Sequence, residues 1–191
     1  MGGEGVGIVE LAVGAPPRRL LIVERFLEPE AAGAIFERVR DLPYTLDDSD
    51  RPDTGDFRHF KHDFELSGGD AGDRVVHLLA DRALELMQAE GIACGPLRRI
   101  YANLNLFGDF QFAHHDGDGW TALIFANPQW GEDWGGEILF YGGPETPFGY
   151  AVAPRPGGML VFDGLIAHRG GVPSKFCHLP RITLAVKFER G

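Results

Sequence analysis

His114 and Asp116 stand two apart in the stretch Phe112-Ala113-His114-His115-Asp116-Gly117, and on an extended chain side chains at that spacing leave the same face. One imidazole and one carboxylate therefore converge. A third ligand must come from elsewhere, and His168 is the candidate, because it follows an apolar run, Met159 to Phe162, and a tight Asp163-Gly164 turn. Two histidines and one carboxylate make a facial triad, a donor set suited to iron(II). It leaves coordination positions open, where a closed tetrahedral site would leave none. Open positions point to chemistry rather than structural support. A lone HxD triplet also arises by chance, so the reading depends on what accompanies it. His115 should face the opposite way and is read as a support or packing residue. His59, His62, His77 and His178 have no partner spacing and are read as surface or core.

The last strand-like run, Arg181-Ile182-Thr183-Leu184-Ala185-Val186-Lys187-Phe188, alternates so that Ile, Leu, Val and Phe share one face while Arg181 and Thr183 share the other. A guanidinium turned inward carries a large desolvation cost unless an anion meets it, and a carboxylate fits its planar fork best. An Arg paired with a native Asp or Glu at a sheet edge is the plainer reading; beside the metal ligands, a bound carboxylate is favoured. The same alternation in Tyr101-Ala102-Asn103-Leu104-Asn105 puts Tyr101, Asn103 and Asn105 on one face. Such a face lines a polar pocket for co-substrate or substrate, or else it is the wet side of an edge strand.

These residues need elements to hold them. Leu20 to Glu24 reads as a strand. Pro29 then opens an amphipathic helix to about Asp41, with Ala32, Ile35, Phe36 and Val39 as its apolar stripe. Asp47 to Asp56 has no periodicity and reads as a solvated connector, with a lid over a pocket as the other reading. Residues 57–66 form a candidate strand, and 73–90 a strong helix stopped by Gly91. Two helices are thus expected to precede everything else. From Leu97 onward short apolar or alternating runs predict strands at about 97–107, 110–116, 120–126, 137–141, 149–153, 158–162 and 181–188. Strands this short and closely spaced predict a mainly β fold with flanking helices: a double-stranded β-helix, or cupin-like jelly roll, which commonly carries a metal in its mouth. One domain over residues 1–191 is expected, with helical support at about 20–92 and a jelly-roll core at about 97–189.

The chain has 18 Lys plus Arg against 28 Asp plus Glu, a formal charge of −10, which repels phosphate backbones and anionic lipid. Nucleic acid and membranes are therefore unexpected partners. Met1-Gly2-Gly3-Glu4-Gly5 opens without a basic region and apolar stretch, so a cytoplasmic protein is expected. Cys94 and Cys177 lack CxxC spacing and read as reduced thiols. The three tryptophans Trp120, Trp130 and Trp134 either wall a pocket or pack a sheet and its loops.

With these residues in place, the chain resembles the iron(II)/2-oxoglutarate-dependent dioxygenases, in particular their prolyl-hydroxylase-like branch. The resemblance runs from about Leu97 to Phe188 and rests on His114-His115-Asp116, Ala126-Asn127-Pro128-Gln129-Trp130, Gly135-Gly136-Glu137-Ile138-Leu139, Gly157-Gly158, His168 and Arg181 in family order. It implies Fe(II) on His114, Asp116 and His168, 2-oxoglutarate with its distal carboxylate on Arg181 and Thr183, and O2 as co-substrate. The products would be succinate, CO2 and an oxidised substrate. Where the branch places a Tyr before the Asn-x-x-Trp segment, this chain has Phe125, and Tyr101 or Asn103 is expected to supply the missing contact. Halogenating relatives have Gly or Ala at the carboxylate position, so Asp116 favours hydroxylation; desaturation, ring formation and epimerisation use the same machinery. The substrate expected is a small molecule or an amino-acid-like one. A peptidyl or protein hydroxylase is the alternative within the class, and a non-catalytic cupin-like metal-binding module the alternative outside it. The sequence leaves the oligomeric state open.

Overall fold

The computed structural model describes residues 7–67, 71–146 and 148–191; the Gly-rich opening at Met1 to Gly5 lies outside them. The longest strands form the middle of a sheet. Strand β11 (Arg181–Arg190) runs antiparallel between β5 (Cys94–Asn105) and β6 (Trp120–Phe125). Outward from these lie β9 (Met159–Asp163), β2 (Arg18–Val23) and β1 (Ile8–Val13) on one side, and β4 (His59–Phe64) and β3 (Thr45–Asp48) on the other. A second antiparallel sheet holds β10 (His168–Gly170), β7 (Ile138–Tyr141) and β8 (Gly149–Val152), and a bridge from His114 to His168 extends it by one residue pair.

Strand alternation sorts the side chains into two cores. On β11, Ile182, Leu184, Val186 and Phe188 point to the outer face, where Ala32, Ile35, Phe36 and Val39 of helix α1 (Pro29–Arg40) and Val76, Leu79, Ala83 and Met87 of helix α2 (Ala71–Ala89) cover them. The inner face carries Leu123, Phe125, Leu160 and Phe162, packed against Ile138, Phe140 and Val152 of the second sheet. Strand β6, covered on both faces, is buried throughout. The architecture is mainly β, with two facing antiparallel sheets and helices on one outer face, consistent with a jelly roll. Among the described residues no helix is long and apolar enough to cross a membrane.

Three expectations change. The helices do not precede everything else: β1 and β2 come before α1, and β3 and β4 lie between the helices, so residues 8–92 supply both edges of the large sheet as well as its helical cover. Residues 110–116 do not form a strand. There Asp50 accepts from the Phe112 N–H at 2.5 Å, so a side chain satisfies a backbone group that a ladder would otherwise engage. Asp47 to Asp56 is not a structureless connector, since it contains the end of β3 and a 3-10 turn at Pro52–Thr54. The edge strands β1 and β3 and the three-residue β10 carry too little alternation to be read from sequence.

Candidate metal centre

Backbone pairing brings the distant histidine to the HxD segment. The His114 N–H donates to the His168 carbonyl at 2.9 Å and the His168 N–H to the His114 carbonyl at 3.0 Å, while the Asp116 N–H donates to Gly164 at 2.8 Å. Gly164 has to be glycine, because a Cβ there would run into the Gly117 carbonyl. Held extended in this way, residues 114 and 116 present their side chains to one space, and a ligand atom from each of His114, Asp116 and His168 lies within 4.8 Å of the others. His114 Nε2 is 3.7 Å from one carboxylate oxygen of Asp116, and His168 Nε2 is 3.6 Å from the other.

Both imidazoles are oriented from behind. Nδ1 of His114 meets the Phe112 carbonyl at 3.0 Å and Nδ1 of His168 meets the Ile166 carbonyl at 2.9 Å. A carbonyl only accepts, so Nδ1 carries the proton and each Nε2 offers its lone pair to the shared space. Asp50 adds a carboxylate 3.4 Å from His114 Nδ1. Burial pushes His168 down to about 4, so it is neutral near pH 7 as a ligand must be. Burial also works to raise the Asp116 carboxyl, but the Lys187 ammonium, His168 and the Thr121 hydroxyl outweigh it and hold the group well below the usual carboxylate range. Lys187 Nζ ion-pairs with Asp116 Oδ2, and Thr121 donates to the same oxygen at 2.6 Å.

Arg181 closes the other end of the cavity. It is 2 % exposed; its Nε donates to Gly136 at 2.8 Å and its Nη1 to Asn105 at 3.2 Å, while Nη2 is buried with no partner. Gly136 has φ +83, and a Cβ there would come within 2.9 Å of the Arg181 side chain, so glycine is required for the guanidinium to seat. Burial pushes Arg181 down to about 10, with Glu137 opposing, and it remains a cation at neutral pH. Thr183 and Asn103 are cross-strand partners and both line the cavity, and the Asn103 side-chain carbonyl is buried without a donor. The cavity is about 200 Å³ and joins the His-Asp-His cluster to Arg181.

Other residues fall differently. Tyr101 pairs across the strands with Ala185, and its ring lies 5.7 Å from Lys187 Nζ; the phenol belongs to the metal end, not beside Arg181. Phe125 faces Arg181 instead, with its ring 5.9 Å from the guanidinium carbon. His115 is exposed, with Nδ1 2.9 Å from the Leu165 carbonyl. Trp130 and Trp134 pack edge to face at 5.5 Å and Trp120 joins the outer core, which favours packing over a pocket wall. His62 and His77 meet backbone carbonyls at the surface and His178 is exposed, but His59 is buried, 3.4 Å from Asp48, and lines the cavity. Residues 48–50 line it too. Lys187 was legible: it continues the spacing of Arg181 and Thr183 by two and two again. Asp50 and His59 carried no such signal.

No family model matches the sequence, and no curated protein matches it. Solved structures do. A prolyl hydroxylase from Trichoplax adhaerens, in complex with a hypoxia inducible factor oxygen degradation domain peptide fragment, matches with TM-score 0.72 at 14 % identity, over 90 % of this chain and 83 % of that one. A 2OG-Fe(II) oxygenase family oxidoreductase from Burkholderia pseudomallei matches with TM-score 0.66 at 16 % identity, over 90 % and 84 %. A Pseudomonas putida prolyl-4-hydroxylase matches with TM-score 0.64 at 15 % identity, over 90 % and 92 %. At these identities the likeness is one of fold: the chain has the fold of prolyl hydroxylases and related 2-oxoglutarate oxygenases over nearly its whole length.

Proposed function

We propose that the protein is a non-haem Fe(II), 2-oxoglutarate-dependent oxygenase that hydroxylates an unactivated C–H bond of a small molecule or an amino-acid-like substrate. The observation that carries this reading is the pairing, within one cavity, of a His-Asp-His cluster with a buried guanidinium whose Nη2 has no partner. The donor set fits Fe(II), and the free N–H groups of Arg181 fit a carboxylate. In this reading His114 Nε2, His168 Nε2 and Asp116 hold the metal, and Arg181, with Thr183 beside it, binds the distal carboxylate of 2-oxoglutarate. The carbonyls of Phe112 and Ile166 fix the ring orientations, and Lys187 and Thr121 hold Asp116 Oδ2, the oxygen nearer His168, which leaves Oδ1 turned toward His114.

When bound, the metal and 2-oxoglutarate supply oxygen activation: one O2 atom goes to succinate as CO2 leaves, and the other to the substrate carbon. The chain contributes position and exclusion of water. Asp116, a carboxylate where halogenating relatives have none, supports hydroxylation. A cavity of about 200 Å³ lies below the roughly 300–1,000 Å³ usual for drug-sized ligands, and residues 48–50 wall it, which supports a small substrate over a peptide in a long groove.

The test is anaerobic titration of the iron(II)-loaded protein with 2-oxoglutarate. A weak visible charge-transfer band is expected as the keto acid chelates the metal. Iron loading without a band on keto-acid addition would remove the assignment in favour of a non-catalytic metal-binding module.

A further inference from the structure

On β5 the pairing to β11 slips by one residue: Lys187 faces Arg99, whereas Phe188 faces Leu97. Arg98 is the extra residue of a β-bulge. In a regular strand only one of two adjacent side chains could face the cavity; here both Arg98 and Arg99 line it. Arg98 Nη2 donates to the Asp116 carbonyl at 3.1 Å, which puts the guanidinium next to the metal cluster, and no carboxylate pairs with it among the described residues. Arg99 stacks 4.4 Å over the Tyr101 ring and gives its Nε to Asp63 at 2.8 Å.

The charge of the cavity wall points the same way. The whole chain carries −10, yet this wall sets Arg98, Arg99, Arg181 and Lys187 against three carboxylates, Asp48, Asp50 and Asp116. A divalent metal and doubly charged 2-oxoglutarate cancel one another, leaving the cationic excess at Arg98, since Asp63 meets Arg99. Cations concentrated in a cleft of an otherwise acidic surface attract and orient an anion.

We infer that the substrate carries an anionic group, a carboxylate or a phosphate, gripped by Arg98 with Arg99 beside it, so that the C–H bond to be oxidised lies within a few bonds of that group. The inference rests on the oxygenase reading and deepens it. Arg98 and Arg99 are specificity residues in this scheme, distinct from the co-substrate cation Arg181.

The experiment uses the full chain loaded with zinc(II), a diamagnetic stand-in, and saturated with 2-oxoglutarate. Arginine side-chain N–H resonances are followed while N-acetylglycine, its uncharged amide N-acetylglycinamide, or inorganic phosphate is added. The acid or phosphate should shift the Arg98 signal saturably, the amide should bind about tenfold more weakly or worse, and Arg98→Gln should weaken the anion by a similar factor, the size of one charge-assisted hydrogen bond. Arg98→Lys should restore part of it. 2-Oxoglutarate should bind all variants like the parent. Response to the acid alone or to phosphate alone names the anion. Equal binding of acid and amide, or no saturable shift with either anion while 2-oxoglutarate still binds, overturns the inference. Failure of the parent protein to bind 2-oxoglutarate overturns the oxygenase reading beneath it.

Discussion

A guanidinium buried with an unmet N–H group is destabilising until an anion reaches it, and Arg181 is in that condition. Arg181→Met, which keeps most of the volume, should therefore raise the 2-oxoglutarate dissociation constant about tenfold to a hundredfold. Metal affinity should stay nearly unchanged, and the ligand-free thermal midpoint should stay level or rise, as happens when a buried charge gives way to an apolar side chain. Calorimetry and thermal melts check both; equal loss of metal and keto-acid binding would mean Arg181 is structural. Lys187 makes the opposite case, because it neutralises the buried Asp116. Lys187→Met should cost the metal-free protein about 3 kcal/mol, the penalty of a stranded buried charge. A divalent ion then becomes the remaining cation for Asp116, so adding it should stabilise the variant by more than the parent. An equal metal-induced rise in melting temperature in both proteins would show that the two cations do not share the carboxylate.

The β3–β4 hairpin is where element and site meet. Asp48, at the end of β3, lies 3.4 Å from His59 and 3.2 Å from Lys61 of β4, and the same turn delivers Asp50 to His114. Burial works against the Asp48 carboxylate, but His59 and Lys61 win and bring it down to about 2. A carboxyl whose folded value lies below its unfolded one contributes stability above the unfolded value, near 3.8, and loses it as pH falls toward 2. Asp48→Asn should therefore cost about 2 kcal/mol at pH 7, with the gap to the parent closing as pH falls below about 4. Urea unfolding at a series of pH values measures it, and a gap independent of pH would show that the pair does not hold the hairpin. The bulge on β5 works at the same scale, since one inserted residue turns two consecutive arginines toward the cavity.

At the scale of the molecule, the large sheet separates two functions. Its outer face is sealed by α1 and α2, and its inner face, with the second sheet, forms the cavity. Stability and binding should then be separable. Phe36→Ala, removing a side chain 4 % exposed on α1, should cost about 3–5 kcal/mol while metal and 2-oxoglutarate affinities below the melting range stay as in the parent. Urea midpoints and calorimetric titrations test it; a parallel fall in affinity would show that the helical layer tunes the cavity through β11.

Local periodicity by itself determined which side chains share a face. The two-residue step of His114 and Asp116, the inward set led by Arg181 and Thr183 on β11, and the apolar stripes of both helices followed from strand and helix geometry, which acts over a few residues. Tertiary structure decided which faces meet. Asp50, His59 and the Arg98-Arg99 pair reach one cavity through sheet order, register and a single bulge, and such pairings join residues 36 to 96 positions apart, beyond the reach of any local pattern. For the same reason Tyr101, on the expected face of its strand, sits beside Lys187 and not beside Arg181: that Asn105 and not Tyr101 lies opposite Arg181 was fixed only when register set the strands against each other.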